Sequence, residues 1–427
     1  MLDESLKERM EAYRVLLQWQ KGGSFIKEAG LSPFAMELAL GVCRRHLFLQ
    51  YFVKTLVKKM PSLEVCTVLE MGLFQMFFTE VPDHAAVATT VELFKEASLG
   101  DGSERFMYAV LHAARKSGLP ALPPQKVRRV SIENSVPEWL VRRWFDIYGG
   151  TRAEALAKAT LERPVEWIRV NLQKTSAPVL AQKLGITGAS ILYDRYIQVP
   201  ADAKLKPILE SESFAKGEFS MQNPSAYEVV KLLDLKPGLK VWDACAAPGG
   251  KAALMAEMDS SLEILASDVS ETRVLKMHDL VDRLGLTNVR VECRDVLALD
   301  PSTEFTLSLS KGLDDSRSSK FDRILLDVPC SNMGVIARRP ESVYRITPES
   351  IKELAELQYN ILKAASTKLA LGGILVYATC SPDPEETTKV VNKFVKENPE
   401  FEKGESVLPG AEDSRYDGFF AQALHRK

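Results

Sequence analysis

Several common catalytic and metal-binding signatures are missing from this sequence. It has no Cys-x-x-Cys pair, no His-Glu-x-x-His run and no cluster of histidines, and only five of its 427 residues are histidine. Because zinc sites are built from closely spaced cysteines and histidines, we expect no metal site. The small number of histidines also disfavours acid–base catalysis by histidine. No apolar run approaches the roughly 20 residues that a membrane-spanning helix needs, so we expect no membrane association.

The sequence also lacks the features of a secreted protein. Its N-terminus, MLDESLKERMEAYRVLLQW, is charged from the start and has no apolar signal core. The six cysteines are scattered through the chain rather than arranged as a disulfide framework. These features predict a cytoplasmic protein with reduced cysteines, of which Cys43, Cys66 and Cys293 are interpreted as buried small hydrophobic residues.

An excess of basic residues, which most nucleic-acid-binding proteins carry, is absent as well. The formal net charge is −2, which argues weakly against a nucleic-acid partner. Basic residues nevertheless cluster locally. Arg338 and Arg339 closely follow Cys330, where the backbone of a nucleic-acid substrate would need counter-charge.

The chain is too long for one ordinary core, and its pattern changes twice along its length. Residues 1–125 repeat apolar positions at helical spacing, which predicts an all-α domain of five or more helices. Residues 126–220 predict a linker helix followed by a small α+β subdomain. Residues 221–427 alternate between short apolar strands and helices, which predicts a parallel sheet with helices on both faces. Within this part, the Ser-rich segment 302–320 is expected to form a surface insertion.

A run of small residues follows the first strand of the third part, in ACAAPGGK at 244–251. Small residues let a ligand approach the backbone closely, and the helix expected from Gly250 presents its N-terminus at the same place. The run is not a Gly-x-Gly-x-x-Gly dinucleotide fingerprint, and Ala252 stands where a phosphate loop needs Ser or Thr after Lys251. Without a pyrophosphate site, S-adenosyl-L-methionine fits better than NAD.

Aspartates stand at the ends of the next three strands. Asp268 ends the second strand, where a carboxylate can bind both ribose hydroxyls, and Asp295 follows the third, within reach of an adenine amino group. Asp327 ends the fourth strand. Because the carboxyl ends of parallel strands share one edge of a sheet, an adenosyl ligand lying across that edge could contact all three. Any single one of these aspartates could instead be an ordinary helix N-cap.

Cys330 and Cys380 stand at the ends of two strand-like runs, DRILLDVPCS, which also contains Asp327, and GGILVYATCS. If these strands are neighbours, as in sheets of methyltransferase order, both thiols face one pocket without forming a disulfide. Carbon 5 of cytosine is a poor nucleophile, and a thiolate that adds to carbon 6 creates an enamine-like intermediate that can accept a methyl group. A second thiol can assist release. Asp327 is suited to hold the ring nitrogen and exocyclic amine, and Lys251 to lower the pKa of a nearby thiol.

These motifs resemble those of the Sun/RsmB-type RNA cytosine-5 methyltransferases over nearly the whole chain. ACAAPGGK resembles the family's cofactor motif, DVPCS its Asp-Ala-Pro-Cys-Ser motif, and ATCSPDPEE its Thr-Cys-Ser motif with a following acidic pair. The N-terminal part resembles the NusB RNA-binding domain in VPDHAAVATTVELFKEA. The resemblance implies a Rossmann-like α/β class I methyltransferase domain, an all-α NusB-like N-terminal domain and a small α+β RNA-facing subdomain.

The resemblance also implies roles for single residues. Cys380 would be the nucleophile and Cys330 the thiol that aids release, an order that spacing alone does not give. Asp327 and Lys251 would complete the catalytic set. The residues implied to bind S-adenosyl-L-methionine are Cys245, Ala246, Ala247, Pro248, Gly249, Gly250, Lys251, Asp268, Asp295 and Asp327.

The NusB-like part points within the family to 16S ribosomal RNA as the substrate. We expect this RNA to be naked or at an early stage of assembly, and the enzyme to be a monomer. A methyltransferase for transfer RNA or 23S ribosomal RNA is an alternative that the sequence leaves open, and so is a non-catalytic RNA-binding ribosome-assembly factor. A nicotinamide dehydrogenase is disfavoured by the missing fingerprint. The chain departs from the family pattern at Asn223, at SNMG (331–334) in place of Ser-Gly-Thr-Gly, and at Thr387.

Overall fold

The computed structural model of the protein describes residues 4–23, 26, 29–99, 104–298, 320–409 and 416–427. The expected surface insertion at 302–320 lies outside the described residues except for Lys320. The chain forms two compact units, Met1–Arg163 with Ile336–Arg345, and Pro164–Val335 with Ile346–Lys427. The three-part division at residues 125 and 220 stays a prediction.

The first unit is built from helices. They are α1 (Glu4–Gln20), α2 (Pro33–Arg44), α3 (His46–Leu56), α4 (Leu63–Phe78), α5 (Asp83–Glu96), α6 (Glu104–Ser117), α7 (Lys126–Asn134), α8 (Glu138–Tyr148) and α9 (Gly150–Ala159). The Ser32 and Ser62 hydroxyls accept hydrogen bonds from backbone N–H groups in the first turns of α2 and α4, which fixes where these helices begin. The predicted all-α domain is confirmed by α1 to α6.

Two helices of this unit were not predicted. The segment of α7 is mostly polar, and α9 buries only Ala153 and Ala157. Both helices therefore give a weak apolar periodicity. The short segment Ile336–Arg345 also belongs to this unit. It is held there by the Tyr344 hydroxyl, which donates to the Ser135 carbonyl oxygen at 2.9 Å.

The second unit contains a small antiparallel sheet of order β2-β3-β1-β4. Its strands are β1 (Trp167–Val170), β2 (Ile191–Leu192), β3 (Tyr196–Gln198) and β4 (Phe219–Met221), and its helices are α10 (Ala177–Lys183), α11 (Leu205–Leu209) and α12 (Glu212–Ala215). Strand β1 is buried along its whole length, so its side chains do not alternate between buried and exposed positions. This is the small α+β subdomain that the sequence predicts.

The rest of the second unit is built on a larger sheet of order β10-β11-β9-β8-β5-β6-β7. Its elements are α13 (Ser225–Lys231), β5 (Lys240–Asp243), α14 (Gly250–Met258), β6 (Glu263–Asp268), α15 (Glu271–Leu284), β7 (Val289–Cys293), β8 (Phe321–Asp327), α16 (Pro348–Ser366), β9 (Leu369–Thr379), α17 (Thr388–Glu397), β10 (Phe401–Val407) and β11 (Phe420–Arg426). Strands β5 to β9 pair in parallel, whereas β11 pairs antiparallel with β9 and β10. The sheet is therefore mixed, and the predicted parallel pairing holds for β5 to β9 but not for β11.

Helices cover both faces of this sheet, as predicted. Successive side chains of β5 point to opposite faces. Val241 packs with Leu254 of α14 and other residues of α13 to α15. Trp242 packs on the other face with Leu362 of α16 and Val391 of α17. The strand ends are thereby fixed between two apolar layers, and the loops that follow the parallel strands leave from one edge.

None of the helices in the described ranges is long and apolar enough to cross a membrane. The same residues contain no group of three or more His, Cys, Asp or Glu side chains arranged to hold a metal ion.

Candidate active site

Strand pairing brings the predicted site residues to one edge of the large sheet. Strands β8 and β9 are parallel neighbours, with Asp327 opposite Ala378. The expectation that these two strands are adjacent is confirmed. Strand β5 lies on the other side of β8, with Asp243 opposite Leu325. The loops after β5, β8 and β9 therefore start side by side.

The two thiols predicted to share a pocket do so. Cys330 Sγ lies 2.8 Å from Cys380 Sγ, and neither cysteine is in a disulfide. The Cys380 thiol also donates to Asn332 Oδ1 at 3.1 Å. The hydrogen bond with Cys330 and burial raise the pKa of Cys380 well above its ordinary value, while Lys251 acts in the opposite direction. In this state Cys380 is a neutral thiol at physiological pH.

An ion pair stands beside the thiols. Lys251 Nζ lies 2.6 Å from Asp327 Oδ2, and their side chains are 21% and 36% exposed. Burial acts to lower the pKa of Lys251, but Asp327 and Asp243 outweigh it and the pKa is raised. Lys251 is therefore a stable cation. It lowers the pKa of Cys380 as the sequence predicts, but not by enough to make the thiolate the resting form.

The loop from Cys245 to Gly249 joins β5 to α14. Gly249 has a φ of +99°, in the left-handed region that glycine tolerates best. At Gly250 a Cβ atom would lie 2.8 Å from Gln222 Nε2. Both positions therefore favour glycine. Burial raises the pKa of Cys245, which keeps it a neutral thiol.

Asp268 and Asp295 end the next two strands in different surroundings. Asp268 is 3% exposed, accepts a hydrogen bond from the Ala247 backbone N–H at 3.3 Å, and pairs with Arg273 at 3.3 Å. Asp268 therefore stabilises the loop from Cys245 to Gly249. Asp295 is exposed, and its Oδ1 accepts a hydrogen bond from the Leu297 backbone N–H at 2.9 Å, as a turn cap does. Among the described contacts, none joins Asp295 to the other predicted residues.

A fourth strand-end aspartate, Asp243, was not predicted from the sequence. Asp243 ends β5, is 1% exposed, and has no hydrogen-bond partner on either carboxylate oxygen among the described residues. Burial raises its pKa to about 8, with Lys251 opposing the shift and Asp327 adding to it. Unsatisfied buried carboxylates are rare, and one at a strand end beside a glycine-rich loop suggests a ligand partner. Its position directly before ACAAPGGK was the available signal.

Known families match successive parts of the chain. The NusB family matches residues 7–116, the RsmF/B-like ferredoxin-like domain residues 136–196, and 16S rRNA methyltransferase RsmB/F residues 230–421. A probable ribosomal RNA small subunit methyltransferase B from Bacillus subtilis (strain 168) is 32% identical over 98% of this chain and 96% of that protein. The chain belongs to the RsmB/F methyltransferase family.

Two further proteins are similar to this chain. The ribosomal RNA small subunit methyltransferase B of Citrobacter koseri is 32% identical and covers 92% of this chain and 90% of that protein. The crystal structure of PH0851 has a TM-score of 0.75 and 20% identity, and covers 98% of this chain and 99% of that chain. The structural similarity concerns the fold alone. The family resemblance and the fold class predicted from the sequence are confirmed.

The cofactor of this RsmB/F methyltransferase is S-adenosyl-L-methionine, and the pocket residues fit it. The orphaned carboxylate of Asp243 would pair with the positive charge of the cofactor. The carboxylate of Asp268 stands at a strand end where it would hold the ribose hydroxyls. A Cβ atom at Gly249 would meet Leu280 and Met277, and one at Gly250 would meet Gln222, so the two glycines let the loop pack closely on its own neighbours.

The loop after Cys330 explains one departure from the family pattern. Asn332 has a φ of +61°, a left-handed conformation that asparagine tolerates better than most residues. Its Nδ2 donates to the Cys330 carbonyl oxygen at 3.2 Å, while its Oδ1 faces the Cys380 thiol. In this RsmB/F protein, the residue in place of the common glycine thus contacts both cysteines.

Proposed function

We propose that this protein transfers a methyl group from S-adenosyl-L-methionine to carbon 5 of a cytosine in 16S ribosomal RNA, through a covalent bond between Cys380 and carbon 6. The observation that carries the proposal is the pair of free thiols 2.8 Å apart. They lie beside the Lys251–Asp327 ion pair in a chain of the RsmB/F family. The relatives' name supports small-subunit ribosomal RNA as the substrate class.

Substrate entry itself would activate the nucleophile. Two sulfur atoms 2.8 Å apart leave no room for a ring carbon, so a cytosine that reaches Cys380 must break its contact with Cys330. That contact is the largest cause of the raised pKa of Cys380. Once it is lost, Lys251 favours the thiolate, and the Cys380 proton passes to water. The thiolate then attacks carbon 6 of an exposed or flipped base.

Asp327 would stabilise the ring during attack. Its Oδ2 is held by Lys251, and the side chain is 36% exposed, so the carboxylate can accept a hydrogen bond from the exocyclic amine of the cytosine. Attack at carbon 6 moves electron density into the ring, and the Lys251 cation held beside the ring by Asp327 lowers the energy of that state. S-adenosyl-L-methionine supplies the methyl group that carbon 5 accepts.

Release completes the cycle. A base must take the proton from carbon 5, so that the electrons of that C–H bond restore the double bond between carbons 5 and 6. The bond between carbon 6 and Cys380 Sγ then breaks with its electron pair on the sulfur. Cys330, the neighbouring cysteine, would serve as that base in its thiolate form. A Cys330→Ser variant should therefore accumulate a covalent protein–RNA species, whereas Cys380→Ser should form none.

Three finer statements belong to the same proposal. The RNA is methylated while naked or early in subunit assembly, the protein acts as a monomer, and it works in the cytoplasm, where its ribosomal RNA substrate is made. They rest on the family and on the sequence of the NusB-like part.

Transfer of labelled methyl groups tests the proposal. S-adenosyl-L-methionine with a labelled methyl group is incubated with naked 16S RNA, transfer RNA, 23S RNA or assembled small subunits, and Cys380→Ala serves as the control. The proposal predicts label on naked 16S RNA that digests to 5-methylcytidine and disappears in the variant. Label confined to transfer RNA or 23S RNA would contradict the substrate. Cofactor binding without label on any RNA would favour an assembly factor.

A further inference from the structure

A buried carboxylate connects the two loops that carry Cys330 and Cys380. Glu386 lies in the loop after β9 and is 0% exposed. Its Oε1 accepts hydrogen bonds from the Ser331 backbone N–H at 2.9 Å and from Gln358 Nε2 at 3.0 Å. Its Oε2 accepts one from the Ser331 hydroxyl at 2.5 Å. The residue that follows Cys330 is therefore held through both its backbone and its side chain.

The network also holds the residue before Cys330. Gln358 Nε2 donates to the Pro329 carbonyl oxygen at 2.9 Å. On the other side, the Tyr377 hydroxyl of β9 donates to the carbonyl oxygen of Glu386 at 2.6 Å. The carboxylate is thus fixed to the central sheet, and both neighbours of Cys330 are fixed to the carboxylate or to its partner.

Cys380 depends much less on this network. It directly follows β9, which is paired with β8 on one side and β11 on the other. Cys330 lies in a loop beyond the end of β8, where its position depends on the hydrogen bonds of its neighbours. The far end of that loop has its own anchor, because the Gly334 backbone N–H donates to the Cys380 carbonyl oxygen at 2.8 Å. Loss of the Glu386 carboxylate would therefore shift Cys330 within a loop that stays held at both ends.

We propose that Glu386 is a positioning residue that sets the place of Cys330 relative to Cys380 and so governs the release of methylated RNA. The inference rests on the roles proposed above for the two thiols. The attack step and the release step should therefore respond differently to the loss of Glu386. Attack by Cys380 on carbon 6 should survive the loss of Glu386, whereas the release step, which needs Cys330 in place, should not.

The adjacent acidic residue provides a matched control. Glu385 is partly exposed and forms an ion pair with Lys389 one helical turn away, at 2.6 Å. Glu385→Ala removes the same charge from the next position without touching the loop of Cys330. Glu386→Gln is the conservative variant, because its amide oxygen can still accept from the Ser331 backbone N–H and its amide nitrogen can donate to the Ser331 hydroxyl.

Single-turnover and steady-state methylation of RNA separate attack from release. For Glu386→Ala we expect kcat to fall by about 100-fold, the scale of a displacement of about 1 Å in a catalytic group. The KM for RNA should change by less than about threefold, since no substrate contact is lost. A covalent protein–RNA adduct should accumulate on denaturing gels, as for Cys330→Ser. The kcat of Glu386→Gln should exceed that of Glu386→Ala by at least about tenfold. Its neutral hydrogen bonds keep the geometry, although each has roughly half the strength of a charge-assisted hydrogen bond.

A milder variant and thermal unfolding distinguish a folding defect from a loss of Cys330 positioning. Ser331→Ala removes only the hydroxyl contact with Glu386 and should show the same adduct at a smaller loss of kcat. A Glu386→Ala protein that unfolds cooperatively but loses adduct and product together, or that matches Glu385→Ala, would overturn the inference. If Cys330→Ser also forms no adduct, the proposed roles of the thiols fail first, and this outcome is distinct from a failure confined to Glu386.

Discussion

We predict that binding of S-adenosyl-L-methionine releases a proton from Asp243. The carboxyl group is 1% exposed and has no hydrogen-bond partner among the described residues, and burial raises its pKa to about 8. With that pKa, Asp243 is about 90% protonated at pH 7 in the free protein. A cationic cofactor beside it favours the carboxylate, so binding at pH 7 should release about 0.9 proton.

The affinity for the cofactor should follow the same linkage. Below pH 8 the carboxyl group must ionise on binding, so the cofactor should bind about tenfold more tightly at pH 7 than at pH 6. The raised pKa also affects folding. The stabilisation that protonated Asp243 contributes is fully present below its unfolded pKa of about 4 and is lost as pH rises through 8. Cofactor should therefore raise the Tm more at pH 8 than at pH 6.

Isothermal titration calorimetry measures the released proton directly. Titrations in two buffers with different ionisation enthalpies give the number of protons exchanged, and Asp243→Asn is the matched control because it removes the ionisable group at constant size. The difference between wild type and variant isolates Asp243 from the titrating amino group of the cofactor. Equal proton release in both proteins, or an affinity independent of pH between 6 and 7, would refute the reasoning.

Three other predictions concern the rest of the second unit. Arg169 and Glu257 form a fully buried ion pair at 2.7 Å. Arg169→Met leaves the Glu257 charge buried without its partner, so it should lower the free energy of unfolding, measured in urea, by about 3–5 kcal/mol. The double variant with Glu257→Leu should recover most of that loss. Asn332→Gly keeps the left-handed backbone but removes the acceptor of the Cys380 thiol. In a Cys330→Ser background, iodoacetamide should then alkylate Cys380 up to about tenfold faster. The lost hydrogen bond stabilises the neutral thiol, so its removal favours the reactive thiolate. Diamide should join Cys330 to Cys380 and abolish methylation, because the two sulfurs are already in contact; dithiothreitol should restore it.

Each of these predictions has a result that contradicts it. An Arg169→Met protein as stable as wild type would show that the pair contributes little. Unchanged alkylation in Asn332→Gly would show that its side chain does not hold the Cys380 proton. If peptide mapping after diamide treatment finds disulfides with other cysteines but none between Cys330 and Cys380, the two thiols do not share a pocket in solution.

The sequence predicted the part of the site that depends on strand ends. Parallel strands of one sheet present their carboxyl ends at the same edge. The residues that end or follow such strands here are Asp268, Asp327, Cys330 and Cys380. Short motifs and strand periodicity are enough to make that prediction. The same logic predicted that Asp295 contacts the adenine; the residue is exposed and accepts a hydrogen bond in a turn, and its contact with the cofactor stays a prediction.

The missed features depend on burial and on pairs far apart in sequence. Nothing local shows that Asp243 lacks a partner or that Glu386, unlike Glu385, is buried. Arg169 and Glu257 meet across 88 positions. Cys293 was expected to be buried with Cys43 and Cys66, yet it is exposed, because it is the last residue of the edge strand β7.

The identity of the cysteine that bonds to RNA is the measurement closest to the central claim. The Cys330→Ser protein is incubated with 16S RNA and S-adenosyl-L-methionine, the adduct is digested with nuclease and protease, and the modified peptide is sequenced by mass spectrometry. We predict a methylated cytosine nucleotide attached to Cys380, and no adduct when Cys380 is also changed to Ala. A nucleotide attached to any other residue, or an adduct that persists without Cys380, would contradict the account.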